Sequence, residues 1–217
     1  MLATAVCLLG VFALLLLAET LSRQKILKGE NQRKLSHISI GTFIAFWPWL
    51  ISWRAIQVIS VTMLIVVLAN RRLEIFRSIN GHRRGEYGDT FLAVAILLCS
   101  LLTTTKIFFT LAILNVALAD GLAAVVGIKY GSPWRYKVLN QMKTVIGSMA
   151  FWFISVCILG VGILFAHDII GFAAYAALLL ALPPVLVILE NLSGYGLDNI
   201  TIPVAVLLAL HMAQTAL

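Results

Sequence analysis

The chain has 217 residues, 61% of them hydrophobic and only 12% charged, with a mean hydropathy of +1.01. That balance lies well outside the range of soluble globular domains, and the apolar runs lack the polar face that a soluble helix needs. In such a chain the net charge of +7 reports topology and contact with anionic headgroups, and no nucleic-acid partner is expected.

Runs long enough to cross a hydrocarbon core of about 30 Å as helices recur from end to end. They predict eight spans, at 2–18, 35–52, 54–70, 89–105, 107–128, 144–166, 169–189 and 200–217. Seven is the alternative count, because the third and fourth runs are short. The expected fold class is all-α: one polytopic transmembrane helical bundle occupying residues 1–217. No basic stretch precedes the first run and no small-residue cleavage site follows it, so no cleavable signal peptide is expected. Cys7, Cys99 and Cys157 lie far apart inside apolar runs, without zinc or disulfide spacing, and are expected as small core residues.

The joints between spans alternate in character. Residues 19–34 carry Arg23, Lys25, Lys28, Arg33 and Lys34; residues 71–88 carry Arg71, Arg72, Arg77, Arg83 and Arg84; residues 129–143 carry Lys129, Arg135, Lys137 and Lys143. In an eight-span chain these three loops share a side and hold 14 of the 16 basic residues, leaving Arg54 and Lys106 opposite. The positive-inside rule makes that side cytoplasmic and places both termini outside. On the opposite face Trp47, Trp49 and Trp53 are expected in an aromatic interface belt, with Pro48 helping to end the second span. Leu73, Phe76 and Ile79 fit an interfacial helix over Leu73–Asn80. No internal repeat supports an inverted-repeat transporter.

The acids follow the bases. Glu19, Glu30, Glu74, Glu86, Asp89, Asp120, Glu190 and Asp198 all fall on or near the cytoplasmic side, and only Asp168 does not. Carboxylates supply the hard oxygen ligands of Mg²⁺, and interleaved cations take phosphate oxygens. Glu19, Glu30 and Glu74 read as ordinary solvated loop residues. Asp120 does not. It lies inside the fifth span, where a carboxylate costs roughly 2.5–3.5 kcal/mol or more without a wet cavity or a partner. Ala119, Ala123, Gly127 and Gly131 recur every four residues as a ridge for close helix packing.

Beyond it, Gly127-Ile-Lys-Tyr-Gly-Ser-Pro-Trp-Arg-Tyr-Lys137 leads to Lys143-Thr-Val-Ile-Gly147-Ser148, glycines for tight turns and cations for phosphates. There is no P-loop pattern and no protein-kinase signature. In Glu190…Asp198-Asn199, Asp198 or Asn199 suits a helix cap, which leaves Glu190 unassigned at the membrane edge. His82 reads as a loop residue, and His167 and His211 lie toward the opposite face.

Four segments together resemble a known family. Arg33-Lys34-Leu-Ser-His37, Ala119-Asp120-Gly121 through Gly127 and Gly131, Lys143-Thr-Val-Ile-Gly147-Ser148, and Glu190…Asp198-Asn199-Ile-Thr-Ile-Pro203 occur in the order and approximate spacing of the CTP-dependent polyprenol kinases. That family includes dolichol kinase, phytol and farnesol kinases and a yeast-type diacylglycerol kinase. The resemblance covers residues 33–203. It implies a multi-pass membrane kinase that moves the terminal phosphate of CTP, or UTP, onto a lipid alcohol at the cytoplasmic leaflet.

Carried over, Asp120 matches the family's Asp-Gly acid, Lys143 its Lys-Ser/Thr lysine and Asp198-Asn199 its Asp-Asn pair, and the expectation built on this is that Asp120, Asp198 and Asn199, with Glu190, hold Mg²⁺ on the nucleotide. Lys129 and Lys143, helped by Arg83 or Arg84, would meet the phosphates, with Gly127, Gly131, Gly147 and Ser148 in the same segments. His37 becomes a catalytic candidate beside Asp120 and Lys143 through this match alone; it or a carboxylate would hold the proton of the lipid hydroxyl. Two positions depart from the pattern. Ala119 stands where glycine is common, and Ile146 where many relatives carry Glu, a carboxylate that Glu86 or Glu190 would have to replace. Phosphatidate cytidylyltransferase, of the same superfamily, is the alternative, although its long C-terminal signature is absent. A small transporter with Asp120 as its ion site is the third reading.

Overall fold

The structure, a computed structural model, describes residues 2–24, 30–73, 87–139 and 141–215. The apolar runs become helices. The first four are α1 (Leu2–Arg23), α2 (Glu30–Ala45) with the single turn α3 (Trp47–Leu50), α4 (Trp53–Leu73) and α5 (Gly88–Leu102). A continuous rod follows, built of α6 (Lys106–Leu114), a π-turn (Asn115–Asp120) and α7 (Gly121–Tyr130). Strands β1 (Arg135–Val138) and β2 (Gln141–Thr144) come next, then α8 (Val145–Leu164), α9 (Phe172–Leu192) and α10 (Asp198–Thr215).

The protein is thus nearly all-α, and the hairpin corrects the expectation of a plain basic loop at 129–143. Each strand is only four residues long, too short for alternation to register as a signal. The pairing is antiparallel, Tyr136 opposite Lys143 and Lys137 opposite Met142.

Among the described residues, five helices are long and apolar enough to cross a membrane: Leu2–Leu21, Trp53–Asn70, Lys106–Tyr130, Val145–Leu164 and Phe172–Leu192; Gly88–Leu102 is apolar but shorter. The chain is an integral membrane protein by this measure, with five of the eight expected crossings meeting it. Three helices fall below it, α2, α5 and α10, and two of them, α2 and α10, carry Lys34, His37, Asp198 and Asn199 of the site described below. Helix ends also move. α1 continues to Arg23, and α2 begins at Glu30, so Arg33 and Lys34 are helical.

The rod from Lys106 to Tyr130 is the axis of the bundle, with 61% of it buried against 22–33% of the other four long helices. Phe108, Phe109, Ile113 and Val116 are wholly enclosed. The small-residue ridge does what its spacing implies: a side chain at Gly127 would meet Thr144 and Gly147 of the following segment. A Cβ at Gly121 would come within 2.3 Å of Ile38, so α2 lies against the rod at a distance only glycine allows.

At one end of the bundle, Thr110 donates to the Ala45 carbonyl at 2.8 Å and receives the Trp49 indole N–H at 3.3 Å. The Lys106 ammonium stands 5.4 Å from the Trp49 ring. Trp47 departs from the expected aromatic belt. It is fully buried, whereas Trp49 is exposed and Trp53 packs edge-on against Phe109 at 5.7 Å. Pro48 sits in the first turn of α3, after α2 has already ended at Ala45.

Cys7 and Cys99 are buried as expected, but Cys157 faces outward. A lipid-facing helix is apolar all round, so hydropathy does not tell its inner stripe from its outer one. Glu19 corrects the reading of a solvated loop. It is buried in the last turns of α1, with Arg23 donating to it at 3.0 Å.

Candidate active site

Three elements deliver carboxylates to the other end of the bundle. Asp120 closes the π-turn, Glu190 lies in the last turn of α9, and Asp198 opens α10. One oxygen from each lies within 4.8 Å of the others. At that spacing each pair of charges repels by about 3–4 kcal/mol for an effective dielectric near 20, so the group requires cations.

Two lysines supply part of the compensation. Lys34 of α2 donates to Asp120 Oδ2 at 2.8 Å, both groups buried. Lys143 of β2 pairs with the Glu190 carboxylate and reaches the Glu190 carbonyl at 3.2 Å. A third cation is near: the Arg33 guanidinium of α2 lies beside Gly88 and the Asn199 amide.

Asn199 completes the cluster. Its amide nitrogen donates to the Gly88 carbonyl at 2.7 Å, and its backbone N–H donates to Asp198 Oδ1 at 3.0 Å. Its side-chain oxygen is buried and has no partner among the described residues. A buried acceptor without a donor is costly, and a hard cation is one group that would satisfy it. Three clustered carboxylates, with a free amide oxygen on the residue after Asp198, are the all-oxygen chemistry that Mg²⁺ selects. These residues therefore fit a divalent cation.

The backbone around the cluster is unusual. A π-turn is rare and often marks a functional site, and here it delivers Asp120. His37, one turn along α2 from Lys34, donates its Nε2 proton to the Val116 carbonyl within that turn at 3.1 Å and lies 4.0 Å from Asp120 Oδ2. Across the site Gly196 adopts φ +90°, and a Cβ there would collide with Gly88 at 2.6 Å. Only glycine serves where the 193–197 loop meets the start of α5.

The structure therefore brings together Asp120, Glu190, Asp198, Asn199, Lys143 and His37 from the sequence-derived set. Gly127, Gly131 and Gly147 lie close by, at packed contacts among α7, Thr144 and the start of α8. Ser148 bonds Tyr136 at 2.6 Å and Asn191 at 3.3 Å. Lys129 is exposed at the end of α7, its ammonium 4.9 Å from the Tyr130 ring. Arg83 and Arg84 lie outside the described residues, as do Glu74, Glu86, Arg77, His82 and the expected interfacial helix beyond Leu73. Of the two replacements expected for the carboxylate missing at Ile146, Glu190 stands in the cluster.

Sequence reasoning passed over Lys34, quoting it without assigning it to the site. Its i, i+3 spacing from His37 placed both on one face of a helix, and that was the available signal. Tyr136 and Asn191 carried none.

No protein-family model matches the chain, and no solved structure matches it. Among characterised proteins it is similar to phytol kinase of a Synechocystis species, 29% identical over 198 residues, which is 88% of this chain and 82% of that protein.

Proposed function

We propose that this protein is a membrane-embedded kinase that transfers the terminal phosphate of CTP, or UTP, to an isoprenoid alcohol such as phytol, farnesol or dolichol. The observation that carries the reading is the convergence of Asp120, Glu190 and Asp198 with Lys34 and Lys143 at one end of the bundle. The similarity to phytol kinase supports a lipid alcohol as the acceptor.

In this reading Asp120, Glu190, Asp198 and the free oxygen of Asn199 hold Mg²⁺. The metal supplies charge neutralisation on the phosphates, which with positioning makes up most of the catalysis in phosphoryl transfer. Lys143 meets the phosphate from the hairpin side, with Lys129, Arg83 and Arg84 in outer supporting roles. Lys34 keeps Asp120 ionised and aimed. The lipid hydroxyl enters from the bilayer, and His37 or a carboxylate holds its proton. Because the Nε2 proton of His37 goes to the Val116 carbonyl, Nδ1 is the nitrogen left with a free lone pair. The basic loops face the cytoplasm by the positive-inside rule, so the nucleotide arrives from that side.

The test uses purified protein, Mg²⁺ and CTP labelled in the α- or the γ-phosphate, with a panel of lipid alcohols and phosphatidate. Label from the γ position is expected in an alcohol. Label from the α position in phosphatidate would instead identify a cytidylyltransferase, and no transfer to any acceptor would overturn the kinase.

A further inference from the structure

The hairpin grips the end of α9 at two adjacent residues. Tyr136 and Lys143 stand directly opposite each other in the β1–β2 register and so share a face. Lys143 holds Glu190, while the Tyr136 hydroxyl donates to Asn191 Oδ1 at 2.7 Å and meets Ser148 Oγ at 2.6 Å. Asn191 is itself anchored, donating to Ser148 Oγ at 3.3 Å and to the Val187 carbonyl at 2.9 Å. Tyr136 thus ties three elements together: the hairpin, the first turn of α8 and the last turn of α9.

The two grips differ in kind. The lysine grip is ionic, and its acceptor is one of the three clustered carboxylates. A cation bound by Glu190 weakens that pairing, because it competes for the same oxygens. The tyrosine grip is neutral on both sides and does not respond to the charge of the site.

We propose that Tyr136 is a positioning residue: it pins the hairpin to α8 and α9, so that Lys143 can leave Glu190 and take a nucleotide phosphate without the strand moving away. This rests on the phosphoryl-transfer reading above and adds the residue that makes Lys143 effective. Among the described residues, Lys143 alone is paired both with a cluster carboxylate and, across the hairpin, with a residue anchored elsewhere.

The expected result has two parts. Tyr136→Phe retains the ring and removes the hydroxyl, and Asn191→Leu removes the acceptor. Each should increase the rate of trypsin cleavage at the exposed Arg135 and Lys137 of the hairpin several-fold, in protein without nucleotide or lipid. In the transfer assay Tyr136→Phe should lower kcat/KM about ten-fold and Lys143→Ala more. The double variant should be no worse than Lys143→Ala, because a pin that acts through Lys143 has nothing left to position. Unchanged cleavage overturns the pin, and additive losses overturn its role through Lys143. Either of these alongside normal wild-type transfer leaves the kinase reading intact. A wild-type protein that transfers nothing overturns both.

Discussion

The two ends of the bundle hold polar groups in opposite ways. At the tryptophan end, Thr110 and Trp49 satisfy one another and the Ala45 carbonyl, and Lys106 rests over an aromatic face. Each of those groups has a partner within the protein, and beside them the neutral, buried Trp47 indole N–H is left without a partner among the described residues. At the carboxylate end three acids crowd together against two lysines, and a buried amide oxygen is left without a donor. That end concentrates like charge at one point. The comparison teaches that buried polar groups in a membrane bundle mark a site where like charges converge, since single unpartnered groups such as the Trp47 indole N–H also occur away from it.

The largest expected effect breaks the comparison at its centre. Asp120→Asn should lower phosphate transfer by roughly three orders of magnitude or more, the scale of losing a group that acts chiefly in the transition state, while the protein still elutes as a folded species in detergent. Near-normal turnover would remove Asp120 from the chemistry. Next comes Lys34→Met, which leaves Asp120 buried without its partner. Breaking a buried pair costs about 3–5 kcal/mol, read as a fall in the thermal unfolding midpoint. Added Mg²⁺ should restore part of that loss, and more than it stabilises wild type, if a cation can occupy the cluster. A variant indifferent to Mg²⁺ would argue against it. The smallest effect belongs to the other end. Thr110→Val should cost about 1–2 kcal/mol of stability through the lost hydrogen bonds and leave kcat/KM within a factor of two. A large loss of activity there would erase the distinction between the ends.

Much of this was legible in the sequence, for physical reasons that differ by residue. Hydropathy and the clustering of lysine and arginine need no knowledge of partners, so the long helices and the crowding of charge at one end could be read directly. Asp120 could be read because a carboxylate inside an apolar run requires compensation. Its compensator could not, since Lys34 lies 86 residues away and pairing across such a distance leaves no local pattern. Trp47 was misplaced because its neighbours Trp49 and Trp53 fit an interfacial belt, and only packing shows which ring turns inward. The hairpin and the π-turn were invisible for another reason: both are patterns of backbone hydrogen bonding that many side chains tolerate.

The π-turn has a consequence in rotation. A regular α-helix advances about 100° per residue, so Leu111 and Gly127, sixteen positions apart, would point about 160° away from each other. Yet both lie against α8, Leu111 at Gly162 and Gly127 at Gly147. One wide turn absorbs about one extra residue and closes the angle to about 60°. The rod therefore acts as a phase shifter, with its two halves set on the same neighbour and Asp120 at the seam. A chain one residue shorter between Asn115 and Asp120 would form a more regular helix, and would aim one of its halves at the wrong partner.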